Sequence, residues 1–114
     1  MTESEFLLLA ERTLSSIEAA LDQPGLLDVV DVECSRSGNV LEIELVDNSS
    51  KIIVNSQAPL HEIWVAAKSG GFHYKHDGQC WRNTRDDSEL FAALSIMISQ
   101  QGGNDVIIHD QTAI

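Results

Sequence analysis

The sequence predicts an α+β protein, a two-layer αβ sandwich in which two helices pack on one face of an antiparallel sheet of about six strands. Two patterns indicate this fold. Apolar residues recur at helical spacing near both ends of the chain, over residues 4–21 and 87–101. Between these segments, short runs of alternating apolar and polar residues are separated by turn residues, as in strands joined by hairpins. The length of 114 residues suits one domain spanning residues 1–114.

The first helix is predicted by its cap and by its apolar spacing. Thr2 or Ser4 can cap the N-terminus, and Glu5 completes a Thr-x-x-Glu capping box. The side chains expected on the core side are Phe6, Leu9, Ala10, Thr13, Ile17, Ala20 and Leu21. Pro24 and Gly25 are expected to end this helix.

Short strands follow this helix. In the first, Val30, Val32 and Cys34 are expected on one face, with Asp31 and Glu33 on the other, because side chains alternate along a strand. The remaining strands are predicted over residues 41–45, 51–55, 63–67, 72–75 and 80–83. The first three strands form an antiparallel meander, and the later strands extend the sheet to about six.

The last helix is predicted from about Asp87 to Gln101. Its apolar stripe consists of Leu90, Phe91, Leu94, Met97 and Ile98. Gly102 and Gly103 end it, while the acids at its start suit the positive end of the helix dipole. The tail at residues 106–108 is expected either to add an edge strand or to pack as an arm.

Negative charge is concentrated in the first part of the chain. The protein has 18 acidic and 7 basic side chains, giving a net charge of −11, and 11 of the acids share the first 47 residues with two arginines. Such a field repels nucleic acid and anionic membranes, and it attracts cations and basic protein surfaces. We therefore expect no nucleic-acid partner and no membrane partner.

The sequence predicts a soluble protein of a reducing compartment. No apolar run approaches the ~18 residues that a membrane helix needs, and the N-terminus lacks the pattern of an export signal. Cys34 and Cys80 stand apart without CxxC spacing, which favours free thiols over a disulfide or a zinc site. We expect a cytoplasmic location in a bacterium.

Carboxylates on the first helix and first strand form a candidate cation site. Glu11, Glu18 and Asp22 are expected to project together, opposite the apolar stripe of the helix. Asp31 and Glu33 extend this set, here named the acidic ridge, if the first strand lies at the sheet edge. Hard cations, iron included, take oxygen ligands, but a rise of 1.5 Å per residue separates Glu11 from Glu18 by ~10 Å. One ion would therefore contact two side chains at most and bind weakly. The alternative is a solvated surface that keeps the protein soluble.

Trp64 is the candidate for contact with a partner. If Ile63 and Val65 face the helices, strand alternation puts Trp64 on the opposite face of the sheet, which is open to solvent in a two-layer fold. Asn55 and Gln57 lie close by in sequence, and an exposed aromatic beside amides is a plausible docking patch. The alternative is that neighbouring side chains or the tail cover Trp64.

The chain resembles the bacterial frataxins over nearly its whole length. The features that carry the resemblance are the opening Ser4-Glu5-Phe6 helix, the acid-decorated first strands, the Asn-x-Gln-x-Pro-Leu-His-x-x-Trp run at residues 55–64, Gly70-Gly71 before an aromatic-His-aromatic strand, and Trp81. The family fold has two helices on one face of an antiparallel sheet, in agreement with the pattern above.

The resemblance implies an iron-binding protein of iron-sulfur cluster assembly. It would dock on the cysteine desulfurase and scaffold proteins and act as iron carrier, regulator or both, binding Fe²⁺ or Fe³⁺ weakly at surface carboxylates. By likeness, the iron-associated acids are Glu11, Glu18, Asp22, Asp31 and Glu33, and the docking residues are Trp64, Asn55 and Gln57. We expect a monomer, with an iron-dependent oligomer as the alternative. Ala19, Gln23 and Ser35 occupy positions where relatives often carry further acids.

No catalytic apparatus is predicted. A diiron centre of the ferritin type needs Glu-x-x-His on bundled helices, and the sequence contains no such spacing. The histidines, for which surface or packing roles are expected, are His61, His73, His76 and His109. Two other hypotheses stay open beside the non-enzymatic iron-binding regulator. One is an acidic protein-interaction module with incidental metal binding, and the other is a ferroxidase.

Overall fold

The structure is a computed structural model that describes residues 1–111, with two long helices, a one-turn helix and six strands in that range. The helices are α1 (Glu3–Leu21), α2 (Pro24–Leu27) and α3 (Leu90–Gly102). The strands are β1 (Val32–Ser37), β2 (Val40–Leu45), β3 (Ser50–Gln57), β4 (Glu62–Ala67), β5 (Gly70–His76) and β6 (Trp81–Asn83). A single turn of 3-10 helix, Ala58–Leu60, connects β3 to β4.

The sheet is a meander in which each strand pairs antiparallel with the next, so the spatial order is β1-β2-β3-β4-β5-β6. Strands β1 and β6 are therefore its edges. The long helices α1 and α3 cover one face, and the predicted αβ sandwich is confirmed. Among the described residues 1–111, no helix has the length and apolar content needed to cross a membrane.

The core lies between the helices and the inner face of the sheet. The sheet residues that are at most 2% exposed on this face are Leu41, Ile43, Leu45, Ile52, Val54, Ile63, Val65 and Tyr74. Alternation along the strands makes the centre of the inner face apolar, and burial of these side chains is the main stabilising term. Trp81 of β6 packs edge-on against Phe6 of α1 at 6.0 Å and donates its indole N–H to the Thr13 hydroxyl at 2.9 Å.

The start of α1 agrees with the sequence, but β1 begins later than expected. Thr2 and Glu5 form the predicted capping box. Pro24 follows the end of α1, as predicted, and it is also the first residue of α2. Proline is favoured in the first turn of a helix. The Val30 amide bonds to the Leu26 carbonyl at 3.0 Å, which keeps Val30 out of the sheet. Cys34 shares a strand face with Val32, as expected, but it is exposed at the sheet edge.

Helix α3 begins at Leu90 and not near Asp87. Asp87 has a φ of +68°, a left-handed conformation that a helix cannot contain. The carboxylate of Glu89 caps the helix by accepting the amide hydrogens of Phe91 and Ala92 at 2.7 and 3.1 Å. The predicted stop is correct, since Gly103 adopts a φ of +81° at the C-cap.

The segment after α3 packs as an arm and forms no strand within the described residues. Val106 and Ile108 are buried, with 9% and 3% exposure. Their amides donate to the hydroxyls of Ser99 and Ser95, both at 2.9 Å. Two α3 serines thus supply the hydrogen bonds that a neighbouring strand would otherwise supply.

Gly102 brings the end of α3 close to the core, and we expect Gly102→Ala to destabilise the fold. A Cβ there would lie 2.8 Å from the Val30 Cγ1 and 3.4 Å from the Leu45 Cδ1. Valine is stiff about χ1, so the backbone must shift, at a cost of about 1–3 kcal/mol in the free energy of unfolding. Gly25→Ala is the matched control, because nothing lies within 4 Å of its Cβ position. Urea unfolding followed by circular dichroism tests this, and equal midpoints for both variants would contradict it.

Candidate functional site: an acidic flank and an open sheet face

The acids of α1 lie along the flank of the molecule next to the edge strand β1. Glu11 and Asp22 are exposed and Glu18 is half-buried. Their flank borders the sheet edge, so these acids do not point directly away from the core as the helical spacing suggested. The condition for extending the acidic ridge, that the first strand is an edge strand, is met.

Arg36 of β1 forms ion pairs with two of the predicted iron ligands. The sequence analysis did not predict this contact. Its guanidinium contacts the Glu11 carboxylate and lies 3.2 Å from Glu18, and it also donates to the Ser15 hydroxyl at 3.1 Å. The side chain is only 16% exposed, so this pairing is partly shielded from water. A signal was available, because alternation puts Arg36 on the same face as Val32, towards α1.

The five predicted iron ligands do not converge on one point. Glu33 alternates with Cys34 and Arg36 along β1, so its side chain lies on the outer face of the sheet, where its cross-strand neighbour is Glu44. Asp31 precedes the strand. Within residues 1–111, no group of three or more His, Cys, Asp or Glu side chains has the geometry to hold a metal ion. The carboxylates of the ridge are thus dispersed along the edge of the sheet and do not form a preorganised coordination site.

The thiol of Cys34 lies beside two of these acids in a cleft. It lines a cleft of about 380 Å³ between the end of α1 and the edge strand, together with Glu18 and Asp22. Partial burial of the sulfur raises the pKa of Cys34 to about 11, and the charges of Glu18 and Asp22 add to the rise. Because the thiolate is the reactive form, Cys34 is a poor nucleophile at neutral pH although it is exposed.

The outer face of the sheet presents the predicted docking residues side by side. Asn55 of β3, Trp64 of β4 and His73 of β5 are direct cross-strand neighbours, and Gln57 follows on the same face of β3. All of them are at least partly exposed. The structure thus brings Trp64, Asn55 and Gln57 together on one surface, here named the Trp64 face.

Neighbours hold Trp64 firmly, but they do not cover it completely. The ring of His73 stacks on it at a centroid distance of 4.3 Å, with 5° between the planes. The indole N–H donates to the Glu62 carboxylate at 2.8 Å. His73 and Glu62 are contacts that the sequence reading did not identify, although Glu62 precedes Trp64 by two residues and so shares its face.

The other described histidine ring contacts are with the core. The His61 ring stacks on Phe6 at 5.0 Å, and the His76 ring packs edge-on against Trp81 at 5.1 Å. His109 is exposed on the arm. These contacts give His61 and His76 packing roles.

The acidic ridge and the Trp64 face are separate surfaces. Two strands, β2 and β3, lie between the edge strand that carries Glu33 and the strand that carries Trp64. At a spacing of ~4.8 Å between strands, the two surfaces are ~14 Å apart across the sheet. A small ion therefore cannot touch both, whereas a protein partner can span them.

The chain matches a family model described as a frataxin-like domain over residues 1–104. An iron-sulfur cluster assembly protein CyaY from Herminiimonas arsenicoxydans is 66% identical over 110 residues, covering 96% of this chain and 98% of the relative. The CyaY protein of Cupriavidus taiwanensis is 51% identical over 109 residues, covering 96% and 97%.

Solved structures share the fold. Frataxin from Psychromonas ingrahamii superimposes with a TM-score of 0.83 at 33% identity, covering 94% of this chain and 97% of that one. A trimeric frataxin from Saccharomyces cerevisiae, solved in complex with ferrous iron, gives a TM-score of 0.61 at 21% identity over 91% and 88% of the two chains. The match of nearly the whole chain to the family model, together with these relatives, means that the chain belongs to the frataxin family.

Proposed function

We propose that this chain is a non-enzymatic iron-binding protein of iron-sulfur cluster assembly, which binds the cysteine desulfurase and scaffold proteins and supplies iron to them or regulates them. The observation that carries the proposal is its 66% identity, over 96% of the chain, to a relative named for iron-sulfur cluster assembly. The bacterial cytoplasm is its proposed location. Binding to a purified desulfurase-scaffold complex tests the proposal, and absence of binding would contradict it.

Iron is the proposed cargo of the acidic ridge, bound by Glu11, Glu18, Asp22, Asp31 and Glu33. The segment that carries these acids is strongly negative, and carboxylate oxygens are ligands that ferrous iron accepts. Because these acids are strung around an edge, each ion keeps most of its water and contacts two side chains at most. Weak and exchangeable binding is the property that delivery or sensing requires.

The Trp64 face is the proposed docking surface for the assembly machinery. A large, partly exposed indole lies beside two amide side chains of the neighbouring strand, Asn55 and Gln57, on a rigid sheet. Aromatic anchors on rigid elements contribute most of the binding energy at many interfaces. The amides can supply hydrogen bonds that fix the orientation of the partner.

A specific contact favours a second candidate function, in which the acidic ridge docks on a basic protein surface and metal binding is incidental. Glu11 and Glu18 already bind the guanidinium of Arg36, the group that an arginine-rich partner would offer. Charge reversal by Glu18→Lys and Asp22→Lys separates the two functions. Loss of the desulfurase complex in metal-chelated buffer would favour docking, and loss only in the presence of iron would favour the cargo role.

Fe²⁺ added without oxygen should broaden the amide NMR signals of the acidic ridge. Because the ion is paramagnetic and bound at carboxylates, the signals of residues near Glu11, Glu18, Asp22, Asp31 and Glu33 should weaken first. Glu18→Gln with Asp22→Asn should reduce the apparent affinity on the order of tenfold. Glu3→Gln removes an exposed charge at the far end of α1 and serves as the control. Broadening confined to the histidines would contradict the ridge as the iron site.

Arg36→Gln should strengthen cation binding at the ridge. The guanidinium occupies the carboxylates of Glu11 and Glu18, so a metal ion has to displace it. We expect about a fivefold gain in affinity, the equivalent of the ~1 kcal/mol of a partly exposed ion pair. The measurement is the rise in Tm produced by millimolar Mn²⁺. Arg12→Gln removes the same charge from an exposed position on α1, and an equal response of both variants would show that only net charge matters.

Trp64→Ala should weaken binding to the desulfurase-scaffold complex on the order of thirtyfold, as expected for an aromatic anchor at the centre of an interface. Ile96→Ala is the control, since Ile96 is 59% exposed on α3 in the opposite layer. Calorimetry or surface plasmon resonance measures the difference. If Trp64→Ala binds as tightly as the unaltered protein, the docking surface lies elsewhere.

A further inference from the structure

The carboxylate of Glu62 has an unusual environment for an outer sheet face. Glu62 as a whole is 8% exposed, and its side chain is 11% exposed. A carboxylate removed from water to this degree is costly unless donors and positive charge surround it. The contacts that compensate Glu62 therefore indicate what it does.

Those contacts come from three neighbours on the same face. The Trp64 indole N–H donates to the Oε1 of Glu62 at 2.8 Å, and the Nδ1 of His73 lies 3.5 Å from the same oxygen. The Nζ of Lys75 lies 3.9 Å from Oε2. In the β4-β5 register, Glu62 is opposite Lys75 and Trp64 is opposite His73, so the four side chains form a rectangle.

This arrangement fixes the Trp64 ring in two independent ways. Stacking on His73, with 5° between the planes, fixes the plane of the indole but not which of the two χ2 flips the ring adopts in that plane. The hydrogen bond to Glu62 selects one of these two flips, because it holds the Nε1 edge of the ring. His73 thus packs against one face of the ring, while the side chain as a whole stays partly exposed.

We propose that Glu62 is a positioning residue, which holds the Trp64 indole in the orientation that a docking partner meets. The inference rests on the proposed docking role of Trp64, and it identifies the carboxylate that orients the indole for docking. A side chain that is already ordered loses less conformational entropy on binding, so its orientation contributes directly to affinity. The bond needs an acceptor oxygen at this place, which a glutamine also provides, and it does not need the negative charge.

Two substitutions of Glu62 separate these requirements. Glu62→Gln keeps an acceptor oxygen for the indole N–H, whereas Glu62→Leu keeps a similar volume and removes the acceptor. Glu42→Leu is the matched control, because Glu42 is a carboxylate of the same sheet face that pairs with Lys51 and does not contact Trp64. Urea midpoints of all variants confirm that each is folded at the temperature of measurement.

The first readout is the indole Nε1–H signal of Trp64 in a ¹⁵N NMR spectrum, assigned with Trp64→Phe. We expect Glu62→Leu to accelerate its hydrogen exchange on the order of tenfold and to shift its proton resonance, while Glu62→Gln and Glu42→Leu stay near the unaltered protein. An unchanged signal in Glu62→Leu would overturn the positioning role whatever the partner does.

The second readout is affinity for the desulfurase-scaffold complex. We expect Glu62→Leu to weaken it about tenfold and Glu62→Gln to restore it to within about twofold. If Glu62→Leu accelerates exchange of the indole hydrogen but leaves the affinity for the complex unchanged, the link between positioning and docking is overturned. If the unaltered protein does not bind the complex at all, the proposed function fails and the docking link fails with it, while the indole signal still decides whether Glu62 holds the ring.

Discussion

Coverage of the sheet on one face only is the constraint from which both candidate surfaces follow. Alternation along the strands sends most of the apolar side chains to α1 and α3 and most of the charged and amide side chains to the opposite face. With no second layer of helices in the described chain, that outer face is free to carry an indole, amides and charged groups. A large aromatic there is expensive to leave mobile in water, and the stacking on His73 and the bond to Glu62 reduce that exposure.

The edge position of β1 determines the character of the acidic ridge. As an edge strand, β1 leaves one side of its backbone unpaired, and it carries Glu33 on the outer face and Arg36 on the face towards α1. Arg36 offsets part of the repulsion between Glu11 and Glu18 and bridges α1 to the sheet. Such a ridge carries strong negative charge. Because its carboxylates do not converge on one point, it is expected to bind several cations weakly.

The sequence was a good guide wherever one local pattern decided the outcome. The capping box at Thr2, the alternation through β2 and the glycine stop after α3 need no information from distant residues, and all three were predicted correctly. Three features depended on tertiary contacts. Arg36 meets Glu11 and Glu18 across 25 and 18 residues of sequence. The stacking of His73 on Trp64 depends on the strand register. Asp87 was expected to be helical because its charge suits a helix start, but its left-handed backbone delays α3 to Leu90.

In the proposed arrangement, the Trp64 face binds the assembly machinery while the acidic ridge, ~14 Å away across the sheet, binds iron. The chain has two tryptophans, one on the outer face and Trp81 in the core at 3% exposure. Labelling with 5-fluorotryptophan therefore gives one ¹⁹F signal for each environment. Addition of the desulfurase-scaffold complex in metal-chelated buffer should shift or broaden the Trp64 signal well beyond that of Trp81. Formation of the complex with the Trp64 signal unchanged would contradict the account.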